Sequence, residues 1–242
     1  MKIVYTNHVD DATITASSSS TGFGTANLQD SRVSRVWRST STTVTIVFDF
    51  GSAVSFAGVG IAGHNFTSGA TVTLEWNDAD SWGSPAGSQS LTVESTITET
   101  FSSVSYRYAR LSVTDASNSD GYIEIGRVAI GAAMTDPEIG IEAQFPRQST
   151  TTKALSRGRQ LYIDQGVQYR AATVTWPEVT SAQRDDFVTV FDAAEAGPIF
   201  VDFAINNAGE PPVYCYISGS LDLQYNDAFK NYELTLTFEE VF

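Results

Sequence analysis

The feature that most constrains this chain is an alternation of apolar and polar residues with period two, repeated along its length. In Val44-Thr45-Ile46-Val47-Phe48-Asp49-Phe50 the even positions share one apolar face, while Thr45 and Asp49 point the other way. The same pattern returns in Val72-Thr73-Leu74-Glu75-Trp76, in Ala109-Arg110-Leu111-Ser112-Val113 and in Ile123-Glu124-Ile125. Turn-rich stretches separate these runs: 63–69, 77–87 and 115–121. Short strands at such intervals, with no helix between them, predict two sheets packed face to face.

The pattern changes past Gly131-Ala132-Ala133-Met134-Thr135-Asp136-Pro137, a small and polar run ending in Pro that reads as a linker. Strands are expected again at 160–164, 173–176, 199–203, 213–217, 221–225 and 232–238. One segment departs from them. Thr180-Ser181-Ala182-Gln183 has the form of a capping box, Phe187, Val190, Phe191 and Ala194 follow at helical spacing, and Gly197-Pro198 supplies a stop. The expectation is a mainly β protein in two domains, 1–133 and 134–242, the second carrying one amphipathic helix at about 181–196 that lies across its sheet.

The net charge of −14 sets a field that repels a phosphate backbone, and the cationic residues are scattered, so nucleic-acid recognition is not expected. No apolar run approaches membrane-spanning length, and Met1–His8 turns polar too early for a signal peptide, so no membrane insertion is expected and folding in a reducing cytoplasm is. The single cysteine, Cys215, sits in an apolar strand-like run and reads as a buried structural thiol.

The inventory argues against catalysis. With two histidines, His8 and His64, and one cysteine, neither a Cys/His zinc site nor a His-Glu-x-x-His helix can be built, and no Gly-x-Ser-x-Gly elbow is present. Asp78 and Asp80 read as a solvated turn, not as a glycosidase pair. No metal and no cofactor are expected. The candidate ligand-binding residues are loop residues: His64 and Asn65 in a Gly-flanked loop, Trp82 in a Gly/Pro-bounded loop, and Asp115, Asn118 and Asp120 before Gly121. Trp82 can stack on a sugar face or fold back over the sandwich. The 115–121 loop has oxygen donors but lacks the spacing of an EF-hand, and Asx-turn chemistry explains it. The strand ending in Glu239-Glu240-Val241-Phe242 reads as an edge, open to pairing with a neighbour or protected from it by its charges.

Several segments, taken in order, resemble the galactose-binding-like jelly roll of discoidin-type domains: Asn27-Leu28 with Val36-Trp37-Arg38-Ser39, then Val44 to Gly51, Gly58 to Ile61, Tyr106 to Leu111, and Gly121 to Val128. The resemblance implies a jelly-roll β-sandwich over 1–133. With Gly63-His64-Asn65 and the closing Leu234-Thr235-Leu236-Thr237-Phe238-Glu239-Glu240, the whole chain is similar to tail-tip or baseplate proteins of long-tailed bacteriophages. Its second half resembles the ring-forming β domain of distal tail proteins, although the jelly roll comes first here. This implies a structural virion protein made in the host cytoplasm, in a homo-oligomeric ring, contacting other tail proteins or a host surface glycan. The alternative is a carbohydrate-binding adhesion module.

Overall fold

The computed structural model describes residues 1–135, 142–203, 210–226 and 231–241. It is mainly β, with a single α-helix among the described residues. Two compact units divide the chain, and neither is continuous in sequence. The first holds residues 1–135, 192–203 and 210–214, and the second holds 142–191, 215–226 and 231–241. The expected boundary at 133/134 falls just before the first crossing, and Asp136 and Pro137 of the expected linker lie outside the described residues.

In the first unit the strands are β1 (Lys2–Val4), β2 (Thr13–Ala16), β3 (Trp37–Arg38), β4 (Thr43–Ala62), β5 (Thr71–Asn77), β6 (Gly87–Leu91), β7 (Ile97–Thr114), β8 (Glu124–Ile125), β9 (Arg127–Gly131) and β10 (Ala133–Thr135). The alternating runs form β4, β5 and β7 as the pattern requires. β4 and β7 pair from Thr43↔Thr114 to Ile61↔Ile97, with a register shift between Asp49 and Val54. Gly51, at φ +77, turns the chain there, and Arg107 of β7 grips Asp49 through two bonds of 2.8 and 2.9 Å. That guanidinium holds the Asp49 carboxyl down at about 2. β2 and β5 flank the half of β4 and β7 before the shift, and β9 pairs with the half of β4 beyond it.

Side chains from both halves meet in one core: Val44, Ile46 and Phe48 before the shift, Phe56, Val59 and Ile61 after it, with Leu74, Leu111 and Ile130. Trp76 stacks on Phe101 at 5.2 Å between ring centres and meets Phe56 edge-on. β1 lies between β10 and the strand Ile199–Asp202, antiparallel to both. Gly60 makes that approach feasible, since a Cβ there would stand 2.2 Å from the Phe200 ring.

The second unit begins with β11 (Glu142–Gln144), β12 (Arg147–Ser149), β13 (Thr152–Leu155), β14 (Leu161–Asp164) and β15 (Gln168–Val179), followed by α1 (Ser181–Ala194). The strand already met at 199–202, which belongs to the first unit, is β16, and β17 (Val213–Asn226) and β18 (Asn231–Glu240) complete the order. α1 starts on the expected box: the Gln183 side-chain oxygen accepts the Thr180 backbone N–H at 2.9 Å, and Thr180 Oγ1 accepts the Gln183 N–H at 3.3 Å. Phe187 and Val190 are the helix's buried residues, and the Phe187 ring lies 4.6 Å from that of Trp176 on β15. The helix therefore covers its own sheet, and it ends at Ala194, with Ala196 N–H turned back to the Ala193 carbonyl. No helix among the described residues is long and apolar enough to cross a membrane.

Two strand expectations are corrected. Residues 213–217 and 221–225 form one strand, β17, interrupted by a bulge at Ser218–Asp222 where Gly219 takes φ +84. The 231–240 strand is no edge: β18 is paired with β17 on one side and with β15 on the other. Its last two acids find partners within the sheet. Glu240 accepts from the backbone, Nε and Nη2 of Arg170 at 2.6–2.9 Å, and Glu239 accepts the Tyr216 hydroxyl at 2.6 Å, pushing that phenol up to about 12. Phe242 lies outside the described residues.

Candidate functional site

A cleft of about 510 Å³ opens in the first unit, lined by Tyr5, Asn7, Asp10, Asp11, Gln29 and Arg127 together with Ala193, Ala196, Gly197 and Pro198. Its floor is built on a 3-10 turn, His8–Asp11, which Asn7 caps by accepting the Val9 N–H at 3.0 Å. The same side-chain oxygen accepts the Ile130 N–H, and the Asn7 amide donates to the Val128 carbonyl, so one residue fastens the turn to β9. Gln29 reaches from a second 3-10 turn, Thr25–Gln29, and donates its amide to the carbonyls of Val9, Asp10 and Ala12 at 2.9–3.0 Å.

Arg127 is 6% exposed and is held bidentately by Asp10, at 2.8 and 2.6 Å. Its Nε is buried without a hydrogen-bond partner among the described residues. Asp11 and Ser31 stand exposed at the rim. The cleft thus has planar hydrogen-bonding groups fixed from behind and free carboxylate and hydroxyl groups in front.

Five of the six residues singled out from the sequence come together elsewhere in this unit, where the loops before β5 and after β7 meet. Asp115 is fully buried and accepts from the backbone N–H and hydroxyl of Thr67 at 2.8 and 2.6 Å and from the Ser117 hydroxyl at 3.2 Å. Those bonds, with one from Asn118, outweigh the upward push of burial and hold the Asp115 carboxyl below its ordinary value. Asn65 donates to Asp120 and to the Tyr122 carbonyl and accepts the Glu124 N–H. Asn118 donates to the Asn65 carbonyl. His64 stacks on Phe66 at 4.2 Å and accepts the Phe66 N–H; burial pushes it down to about 4, against a smaller opposing contribution from the Glu94 backbone. The cluster spends its hydrogen bonds on itself and ties loops together. Among the described residues no group of three or more His, Cys, Asp or Glu is placed to hold a metal ion.

Trp82 is not with them. It lies in the hairpin after Asn77, at the far end of β5, roughly 20 Å along a strand of that length. Its Nε1–H donates to Asp80 at 2.6 Å, and the Arg110 guanidinium, itself bonded to Glu75, covers its ring at 4.6 Å.

Sequence reasoning missed Asp10, Asp11, Gln29 and Arg127. The available signal was a polar Asn7–Asp11 run inside a strand-rich stretch. It also missed a ladder beside the 115–121 loop, in which Arg38 sits between the rings of Phe23 and Tyr122, at 4.2 and 4.4 Å, and is ion-paired with Glu124.

No protein-family model matches the chain, and no curated protein matches it. Among solved structures the chain is similar to chitosan-binding module 1 of a chitosanase/glucanase from Paenibacillus sp. IK-5, at 18% identity and a TM-score of 0.42, over 51% of this chain and 97% of that one. A Streptococcus pneumoniae fucose-binding module gives 10% identity and a TM-score of 0.43, over 52% and 94%. A Ruminococcus gnavus GH29 fucosidase gives 16% and 0.46, over 55% of this chain and 28% of that one. Likeness at this level assigns neither a family nor a ligand.

Proposed function

We propose that the first unit is a saccharide-binding module that does no chemistry on its ligand, and that the cleft at Asp10, Asp11, Gln29 and Arg127 is its site. The observation carrying this reading is a concave cleft of ligand size whose floor is made of planar donors and acceptors locked in place from behind. A sugar presents hydroxyl pairs at fixed spacing, and fixed carboxylate, amide and guanidinium groups match such pairs at low entropic cost. Asp11 and Ser31 at the rim meet the ligand's outer hydroxyls. The acceptor-rich rim and the net charge of −14 favour a neutral or amino-bearing saccharide over an acidic one. Glycoside hydrolysis needs two carboxyl groups on opposite sides of the bond with separate proton tasks. Here Asp10 is chelated by Arg127, and Asp11 is its immediate neighbour in sequence.

Calorimetry of the full chain with fucose, chitotriose and a sialylated trisaccharide tests the reading. Binding of a neutral or amino sugar is expected, weakened about tenfold by Asp11→Ala at unchanged melting temperature. Indifference to all saccharides, or binding untouched by Asp11→Ala and Ser31→Ala but lost in Trp82→Ala, refutes the site.

A second reading, a ring-forming structural protein of a phage tail tip, is favoured by the large apolar side chains that the second unit leaves exposed: Leu155, Leu161, Tyr162 and Ile163 among them. Proteomics of purified virions tests it; absence from the particles removes it.

A further inference from the structure

Among the described residues β13 and β14 pair only with each other, through Thr152↔Asp164, Lys153↔Ile163, Ala154↔Tyr162 and Leu155↔Leu161. Every residue of both strands is exposed. Leu155 is 64% exposed, Leu161 56%, Tyr162 59% and Ile163 56%. Directly opposed residues share a face, so Leu155, Leu161 and Lys153 with Ile163 mark one side of the arm, while Tyr162 and Ala154 mark the other. Two strands alone are marginal in water, and this pair carries large apolar side chains that are more than half exposed, on both faces. Its geometry is nevertheless well defined. Ser156 and Gln160 close the tip, with Arg159 at φ +58, and Thr150 and Thr151 bond Val167 and Gly166 at the base.

The charge on the arm sets it apart from the rest of the chain. Residues 145–170 hold five of the chain's 14 Lys and Arg (Arg147, Lys153, Arg157, Arg159, Arg170) and only one of its 28 Asp and Glu, Asp164. Lys153, Arg157 and Arg159 make no ion pair among the described residues. The arm is thus a basic, apolar finger on a strongly acidic protein, and the rest of the same chain carries the complementary charge. The second unit presents such a surface. Leu223 and Tyr225 of β17 are 37% and 55% exposed. Leu223 is paired with Leu234 and Tyr225 with Tyr232, so both lie on the face that α1 covers. α1 reaches this face through Arg184, bonded to the Tyr232 hydroxyl at 2.8 Å; Asp185, which is exposed and ion-paired with Arg184 at 2.5 Å, and exposed Asp186 come next in sequence.

We propose that the β13–β14 arm docks on a second copy of this chain, its Leu155, Leu161 and Ile163 covering Leu223 and Tyr225, and its Lys153, Arg157 and Arg159 facing Asp185 and Asp186 of α1. Arm and receptor are different surfaces, so each copy gives one contact and takes another. Such a heterologous contact closes into a ring or extends as a filament. The inference deepens the second reading by naming its surface and partner, and it is independent of the saccharide cleft and of any station in a virion.

Light scattering on the size-exclusion eluate of the full chain, at low and high salt, is the test. The wild type is expected to run as an oligomer that weakens at least tenfold from dilute to molar salt. Leu161→Glu with Ile163→Glu, on an arm outside both cores, is expected to give a folded monomer that still binds any saccharide the wild type binds. Arg157→Glu with Arg159→Glu is expected to dissociate likewise and to be recaptured by Asp185→Arg with Asp186→Arg. A wild type monomeric at its highest soluble concentration overturns the proposal, as does an oligomer indifferent to the arm variants. Dissociation by the arm variants without recapture by the charge-swapped partner overturns the assigned receptor. Presence in virions is read separately, so failure of the tail reading and failure of the arm are distinguishable.

Discussion

Replacing Asp115 with Asn tests whether the loop cluster is structural. The carboxylate is fully buried and accepts three side-chain or backbone donors from Thr67 and Ser117. Asparagine has nearly the same shape but turns one acceptor into a donor, so one of the two Thr67 donors is left facing an N–H group. Hydrogen bonds to a charged group contribute about 1.5–3 kcal/mol, and a donor stranded beside the wrong group costs a similar amount. Thr67 is half-buried and recovers part of this from water, so the expected loss is about 2 kcal/mol. For a chain of this size that corresponds to roughly 4–8 °C in melting temperature. Urea titration gives the difference directly, and a cycle with Thr67→Val should return a coupling of about 1–2 kcal/mol between the two positions. The pH dependence supplies the sharper criterion. Because the folded Asp115 carboxyl lies below its unfolded value, its contribution is complete above the ordinary aspartate range and disappears as pH falls through the folded value. The gap between wild type and Asp115→Asn must therefore shrink below about pH 4. A gap that stays constant or widens on acidification refutes the reasoning.

Three further outcomes follow from the same geometry. The His64 imidazole should titrate near 4 by NMR, and between its unfolded pKa and that value the unfolded chain takes up a proton the folded one refuses, so acidification destabilises by up to about 1.4 kcal/mol per pH unit; a midpoint near 6.5 contradicts its burial. Thr180→Ala should lower stability by about 1 kcal/mol through loss of the reciprocal cap, read by chemical denaturation, and a neutral result would mean that the helix end is held by tertiary contacts alone. Cys215, whose thiol is pushed up by burial and by Glu240, should resist alkylation in the native protein and react on unfolding, with mass spectrometry as the readout; rapid native labelling would place it outside the core.

What could be read from the sequence was local. Val44–Phe50 and Val72–Trp76 announce strands because period two leaves one face apolar, and Thr180 with Gln183 announces a helix start because both partners lie within one turn. The bulge at Ser218–Asp222 was read as a break between two strands, since Gly219 and its polar neighbours have the composition of a turn; pairing with β18 carries the strand through. The pairing of Ile199–Asp202 with Lys2–Val4 could not be read at all, because nothing local says which of many apolar segments two hundred positions away will lie alongside. The candidate site shows the same division. His64, Asn65, Asp115, Asn118 and Asp120 were legible as polar loop residues and do assemble, but composition does not reveal that they satisfy one another. The cleft joins a turn at 8–11, a turn at 25–29 and Arg127, and its components become a site only through contacts more than a hundred residues apart.

The seating of Lys2–Val4 between Ala133–Thr135 and Ile199–Asp202 has a consequence for biogenesis. On the ribosome this segment emerges long before either partner is translated, so its backbone amides and the buried side chains of Ile3 and Val4 must wait for both. A nascent chain paused before residue 199 would hold a ribbon matched along one side and still open along the side that meets Ile199–Asp202.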